Sequence, residues 1–326
     1  MISAGEDVEG KANLQRLLKI LVLSFLVGII FVFFSGYVFS KKLLDPIRKI
    51  AADVAEISAQ NLTRRINTGA SKDEWYQLSN TLNELLNRLQ ESFELQRRFI
   101  SNASHELSTP LTSISSQLEV SLQRQRDASE YRKVMESIYQ DVQHMSKLTQ
   151  TLLEFAKASG SAAGLEIDLL RIDEILLNLP AEMVKINPSY SVKLDFENLP
   201  EEEEKLLVFG NEPLLFTAIK NIVLNACKYT QDHMAEVSLK TGEQQLIITI
   251  EDKGSGIPKE EAGRIFQPFY RVQENRIEGG FGLGLSLADR IIKIHKGSIQ
   301  VESEPGQGTK FIIQLPPARS LERITP

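Results

Sequence analysis

The sequence predicts a chain of several domains: one membrane-spanning helix, a run of long amphipathic helices, and a C-terminal α/β sandwich. Three observations carry this. From Ile20 to Phe39 no side chain is charged, and about 20 helical residues at roughly 1.5 Å each span a bilayer core. Between Pro46 and Phe155 apolar residues recur at steps of three and four, the period of a helix with one buried face. From Leu165 onward short alternating runs and helical runs interchange, the pattern of helices laid on one face of a mixed sheet.

Composition sets the outer bounds. A length of 326 residues leaves room for two or more domains, and 42% hydrophobic with 25% charged residues excludes a disordered chain. A net charge of −6 gives no general reason to expect nucleic-acid binding. The single cysteine, Cys227, excludes an intrachain disulfide framework and suits a reducing compartment. It reads as a small apolar residue rather than a reactive thiol. No internal repeat or long low-complexity tract is visible.

The apolar run is too long and uniform for a buried soluble helix and exceeds a typical signal-peptide core. Lys41, Lys42, Arg48 and Lys49 follow it with only Asp45 among them, whereas Glu6, Asp7 and Glu9 balance the bases before it. That asymmetry predicts a single-pass protein of the cell inner (plasma) membrane with its C-terminal part cytoplasmic. Only about 19 residues precede the run, too few to fold outside. Either a natural N-terminal part is missing, which is the favoured reading, or the span itself or a partner takes its place.

Pro46 opens a helix with Ile47, Ile50, Val54 and Ile57 on one face. A polar connector, Asn61 to Ile66, and then Asp73-Glu74 lead to a second helix carrying Leu78, Leu82, Leu85 and Leu89. Such narrow stripes read as half of a parallel four-helix bundle, and the segment resembles a HAMP linker, with Trp75-Tyr76 in place of the usual Ile-Gly. The second helix runs on to about Gln125, placing Phe99, Ala103, Leu107, Leu111, Ile114, Leu118 and Leu122 on one face. After a polar turn, another helix aligns Val134, Ile138, Val142, Met145, Leu148, Leu152 and Phe155. The result is an antiparallel hairpin whose stripe calls for a homodimer.

A Gly/Ala/Ser linker, Ala158 to Gly164, marks the next boundary. Beyond it, strands are predicted at 191–197, 205–209, 235–240, 245–251, 298–304 and 310–315, and helices near 172–186, 212–229 and 283–295.

Four constellations carry chemistry. The first is FISNASHELSTP, Phe99 to Pro110. His105 lies on a polar stripe with Arg98, Asn102, Thr109, Thr112 and Ser116, so it is expected to be accessible. Glu106 can take the proton-bearing ring nitrogen and leave the other lone pair free to attack. Thr109, one turn on, can hold a water against a phosphorylated imidazole. Pro110 cannot donate to the carbonyl of Glu106, which predicts a kink and a hinge. The second is NIVLNACKY, Asn221 to Tyr229, where Asn225 and Lys228 share a helix face and suit Mg²⁺ and phosphate oxygens respectively. The third is Glu251-Asp252-Lys253-Gly254-Ser255-Gly256-Ile257-Pro258, in which glycines admit a flat ligand and Asp252 can accept a bond from an exocyclic amine. The fourth is GGFGLGLS, Gly279 to Ser286, a glycine-rich helix start able to cradle phosphate. Between the last two, IFQPFYR precedes a polar stretch, 272–278, that can act as a lid.

Each element alone is weak. Exposed histidines are usually inert, Asn and Lys on one face are usually solvated, and DxG turns are common. Their order and spacing make a specific set. Together they resemble a membrane-bound sensor histidine kinase of a two-component system, with a HisKA-type dimerisation and phosphoacceptor domain and a GHKL-type ATPase fold, over about residues 41–316. The resemblance implies that Mg-ATP phosphorylates His105 and that an aspartate of a response-regulator receiver domain takes the phosphoryl group. It further implies that Glu106 and Thr109 serve a regulator phosphatase activity. By the same likeness Asn225 ligates Mg²⁺, Lys228 contacts phosphates, Tyr229 lines the pocket and Asp252 holds the adenine amine. Gly280, Gly282 and Gly284 form the lid hinge and phosphate loop, and Asn221, Gly254, Gly256, Phe266, Arg271, Leu283 and Thr309 also contact ATP. Ser108 stands where a basic residue is often found, which bears on partner contacts rather than phosphotransfer.

The implied domains are an extracytoplasmic segment (1–19), the span (20–39), the HAMP linker (41–92), the phosphotransfer domain (93–158) and the ATP-binding domain (165–318). The competing readings are a stand-alone ATPase of the same nucleotide fold and a non-catalytic membrane-tethered scaffold. One decoy is set aside. Gly5 to Ala12 nearly spells a P-loop, but it lacks the Mg²⁺-binding hydroxyl, no strand precedes it, and three carboxylates would repel phosphate.

Overall fold

A computed structural model describes residues 8–58, 61–67, 74–123, 125, 127–159, 166–196, 199–200, 202–242, 245–272 and 280–318. Most of the linker before Leu165, the lid stretch after Val272 and the start of the P-loop-like run lie outside the described residues. The chain divides into two compact units, 1–98 and 99–326.

In the first unit, α1 (Val8–Ala55) is one helix of 48 residues. It contains a stretch with mean hydropathy 2.8, long and apolar enough to cross a membrane, and every large apolar side chain from Leu17 to Phe39 within it is exposed. Pro46 does not open a new helix as its position suggests; it sits inside α1. One proline removes one N–H, and a helix well supported on both sides continues across that single lost bond. The connector is held by side chains of α2 (Glu74–Gln123). The amide of Asn83 pairs with Ile66 as a strand would, accepting from its N–H at 2.9 Å and donating to its carbonyl at 3.0 Å. Arg65 donates to Asn87 at 2.9 Å and Gln90 at 2.6 Å. Ile66 is thereby buried.

In the second unit, the rest of α2 and α3 (Ala128–Ser159) form the hairpin. Asp127 caps α3, its carboxylate accepting from the Glu130 N–H at 2.8 Å; that bond, first, lowers its pKa. A polar tie crosses the hairpin where Ser113 donates to Asp141 at 3.0 Å.

The C-terminal domain is built on a five-stranded mixed sheet of order β2-β4-β5-β7-β6. These strands are β2 (Ser191–Asp195), β4 (Met234–Thr241), β5 (Leu246–Asp252), β6 (Ser298–Glu304) and β7 (Gly308–Leu315). Only β2 and β4 pair in parallel. Helices α6 (Glu212–Lys228) and α8 (Gly284–Ile294) cover one face. Ile219, Ile222 and Val223 from α6 and Leu287, Ile291 and Ile292 from α8 are completely or nearly buried against Val237, Ile248, Ile250 and Ile313. Alternation along β4 and β7 sends every second side chain into this core.

Two sequence expectations are corrected here. The helix expected over 172–186 is two, α4 (Ile172–Leu177) and α5 (Leu179–Ile186), separated at Asn178. Pro180, in the first turn of α5, has no N–H to continue the ladder. The strand expected from Lys205 begins as a 3₁₀ turn, Glu203–Leu206, and becomes β3 only over Leu207–Gly210. There it pairs antiparallel with a strand not anticipated, β1 (Asp168–Arg171). A one-turn helix, α7 (Lys259–Ala262), was also not anticipated.

Candidate functional site: a nucleotide cavity beside a helical hairpin

The second and fourth constellations meet where α6 and α8 approach the sheet. A cavity of about 510 Å³ lies there, within the size range of ligand pockets. Its walls include Asn221, Asn225, Lys228, Tyr229, Asp252, Gly256, Arg271, Gly280, Gly282, Leu283, Gly284 and Thr309. Of the ATP-binding positions expected from sequence, only Gly254 and Phe266 are not on that wall. The backbone of Gly254 instead passes so close to the carbonyl of Tyr229 that a Cβ would lie 2.3 Å from it. Phe266 packs against the apolar core.

Each wall residue has a local cause. Asp252 ends β5, and its Oδ1 accepts from the backbone N–H groups of Gly254 (2.8 Å) and Thr309 (3.2 Å). No described hydrogen bond engages Oδ2. Burial raises the pKa of this carboxylate, against the lowering effect of those two N–H bonds. Lys228, on the last turn of α6, places its ammonium 3.2 Å from the Tyr229 hydroxyl and over that ring. Gly282 has φ of +68°, and a Cβ there would meet the Tyr270 carbonyl at 2.6 Å; its own carbonyl accepts from the Phe269 N–H at 2.9 Å. Gly256 is similarly required, with φ of +72° and the Glu304 carbonyl 2.0 Å from a Cβ position.

The geometry fits a purine nucleotide. The unengaged oxygen of Asp252 suits an exocyclic amine, glycine backbone approaches closely, and an amide and an ammonium stand at the Gly280–Gly284 side. Among the described residues no three His, Cys, Asp or Glu side chains are grouped to hold a metal ion. An ion here would have to take most of its oxygen ligands from phosphate and water, as Mg²⁺ does.

The first constellation lies elsewhere. His105 is exposed on α2 and is not on the cavity wall. Thr109 donates its hydroxyl to the His105 carbonyl at 3.0 Å. No hydrogen bond joins the His105 ring to Glu106 among the described residues; successive helical residues point about 100° apart. Pro110 is buried within the unbroken α2.

Sequence reasoning missed two parts of the site. Apolar walls come from Ile186, Tyr190, Leu224, Ile257 and Phe311, and one wall comes from α3, through His144, Lys147 and Thr151. The first group looks like ordinary core in the sequence, and nothing in α3 distinguishes the second from a wet helical face. Cys227 behaves as expected. It is fully buried, donates weakly to the Ser191 carbonyl at 3.5 Å, and burial pushes its pKa to about 11.

Comparison with known families defines the class first. Residues 210–319 match the histidine kinase-, DNA gyrase B- and HSP90-like ATPase family, 95–161 the His Kinase A (phospho-acceptor) domain, and 38–91 the HAMP domain. These are the domains of an ATP-binding histidine kinase. The chain is 35% identical to the sensor histidine kinase YkoH of Bacillus subtilis, over 95% of this chain and 68% of that one. It is 31% identical to the signal transduction histidine-protein kinase ArlS of Staphylococcus aureus, over 94% and 68%. The chain belongs to the sensor histidine kinases: it is a protein-histidine kinase of two-component signal transduction, with an ATP-binding domain. Solved structures share its fold. They include histidine kinase AdeS of Acinetobacter baumannii (TM-score 0.51, 21% identity, 66% of this chain and 98% of that one). Another is histidine kinase ThkA in complex with the response regulator TrrA (TM-score 0.56, 21% identity, 71% and 64%).

Proposed function

We propose that His105 is the residue phosphorylated, by ATP held in the cavity between α6, α8 and the sheet. The observation that carries this reading is the convergence of Asn225, Lys228, Asp252 and the Gly280–Gly284 loop on one cavity, in a chain that also presents an exposed imidazole. In the reaction a ring nitrogen of His105 attacks the γ-phosphorus, the bond to the β,γ-bridging oxygen breaks, and ADP leaves. Asp252 selects the base, Lys228 offsets phosphate charge, and Asn225 supplies one oxygen to Mg²⁺, which would neutralise charge on the leaving phosphates. Glu106 orients the imidazole when its side chain turns toward the ring. Pro110 serves as the hinge that lets α2 bend below His105. Because His105 is not on the cavity wall, transfer requires the ATP-binding domain to move along the hairpin.

The phosphoryl group then passes to an aspartate of a response-regulator receiver domain. The solved complex of ThkA with TrrA supports a partner of that kind. Glu106 and Thr109 position a water for the reverse task, dephosphorylating the regulator. The chain works as a homodimer in the inner (plasma) membrane with the catalytic part in the cytoplasm. The exposed apolar stripe of the hairpin and the exposed apolar stretch of α1 support both parts of that reading. In this reading the domains keep the boundaries taken from the sequence: 1–19, 20–39, 41–92, 93–158 and 165–318.

Incubation of the full chain with γ-labelled ATP and Mg²⁺ tests the assignment. Acid-labile label should appear on the wild type and be absent from His105→Gln. Label persisting in that variant would place the phosphoacceptor elsewhere, and phosphate release without any label would favour a simple ATPase. Thr109→Ala should keep the label and slow removal of phosphate from the regulator. Unchanged removal counts against the water-positioning role.

A further inference from the structure

The nucleotide cavity is closed on one side by the phosphotransfer hairpin itself. His144, Lys147 and Thr151 stand at i, i+3 and i+7 on α3, one face of the helix, and all three line the cavity. Their neighbour Leu148 is completely buried in a small apolar cluster with Phe281 and Leu283, ringed by Phe99, Leu107, Leu152 and Phe269. The His144 ring meets Phe281 edge-on, with centroids 4.5 Å apart at 63°. Farther along, Arg290 of α8 donates to the Ala158 carbonyl at the end of α3, at 3.4 Å. Since Phe281 and Leu283 belong to the glycine-rich loop, this packing sets the α3 face over the loop side of the cavity, where the phosphates of a bound nucleotide would lie.

The Lys147 ammonium makes no hydrogen bond or ion pair among the described residues. Lys147 and His144 are solvent-exposed and border a cavity whose expected occupant carries several negative charges. We propose that Lys147, with His144 beside it, is a phosphate subsite contributed by the phosphotransfer hairpin, binding the terminal phosphates of the nucleotide while the ATP-binding domain is docked on α3. In this arrangement His105 does not reach the cavity, so the contact holds nucleotide in a waiting state rather than in the transfer geometry. Reciprocity follows: if docking strengthens nucleotide binding, nucleotide strengthens docking by the same factor. Lys147 is a positioning residue for the bound nucleotide and takes no part in the bond changes at phosphorus.

The inference rests on the nucleotide occupying the cavity, and the test separates the two. Affinities of the full chain in detergent are measured for AMP-PNP, ADP and AMP with Mg²⁺, in the wild type, Lys147→Ala, Lys147→Arg and Asp252→Ala. Loss of one charge-assisted contact should weaken AMP-PNP and ADP about 10-fold in Lys147→Ala, leave AMP within about twofold, and be rescued by Lys147→Arg. Unchanged AMP-PNP and ADP affinity in Lys147→Ala, or an equal loss for AMP, overturns the subsite. If Asp252→Ala binds all three nucleotides as the wild type does, the cavity reading itself fails, whatever Lys147 shows.

Discussion

Asp252, proposed to select the base, illustrates how a carboxylate is held in a cavity at the expense of stability. Its Oδ1 is committed to two backbone N–H groups, while burial raises its pKa. The sign is that of a carboxylate with a folded pKa above its unfolded one: the cost of burying the charge is absent below the unfolded value and sets in as pH rises through the folded one. Asparagine keeps an oxygen for the two N–H groups and carries no charge. Asp252→Asn should therefore melt no lower than the wild type at neutral pH, with the difference shrinking on acidification. The same variant should bind ATP at least about 10-fold more weakly, because its other atom becomes an amide donor facing an amine donor. Thermal unfolding at several pH values beside nucleotide titration reads both effects. A variant that melts well below the wild type at neutral pH would contradict the argument.

At the scale of elements, much of the site's precision comes from joints between helix ends and loops. His295, just after α8, is buried. Its Nδ1 lies 2.7 Å from the Ile291 carbonyl and its Nε2 accepts from the Asn211 N–H at 3.0 Å, which assigns the proton to Nδ1. Asn211 in turn caps α6, accepting from the Leu214 N–H at 3.1 Å. One imidazole thus ties the end of α8 to the start of α6, the two helices that frame the cavity. Burial lowers its pKa, so its contribution is present above its ordinary value of about 6.5 and is lost as pH falls through the folded one. His295→Ala leaves the part-buried Asn211 N–H unpaired and should cost about 1–3 kcal/mol. It should also flatten the fall in stability below about pH 6.5. Denaturant titrations of both proteins across that range would show it, and parallel curves would refute it. The connector follows the same logic, with Asn83, Asn87 and Gln90 of α2 holding Arg65 and Ile66 through side-chain hydrogen bonds.

At the scale of the whole molecule, the hairpin is amphipathic on two sides with different fates. One side meets the ATP-binding domain through the cluster around Leu148, where Phe99, stacked on Phe155, faces Phe269 with centroids 5.6 Å apart. The other leaves Leu118 (47%) and Leu122 (86%) exposed, too much leucine for a wet surface. In the proposed homodimer a second copy of the hairpin would cover these leucines and complete a four-helix bundle. Cys227 is buried, so Leu118→Cys supplies the one accessible thiol. Mild oxidation should then give a covalent dimer, whereas Arg132→Cys, on an exposed site, should not. Failure of Leu118→Cys to cross-link would argue against this face as the dimer seam.

Helix periodicity, the uncharged run and the glycine and asparagine motifs made the fold class and most of the cavity wall legible in the amino-acid order, because each depends on local spacing alone. Asn225 and Lys228 share a helix turn, Asp252 ends an alternating strand, and Gly282 precedes a helix whatever packs on it. The break at Asn178, the pairing of β1 with β3, the role of His295 and the α3 wall with Lys147 depend on residues distant in sequence meeting across the core. Local pattern carries no record of such meetings: a buried histidine and a cavity-lining lysine look the same in sequence as solvated ones. The chemistry was thus written in short motifs, while tertiary packing decided which side chains close the site and kept His105 off its wall.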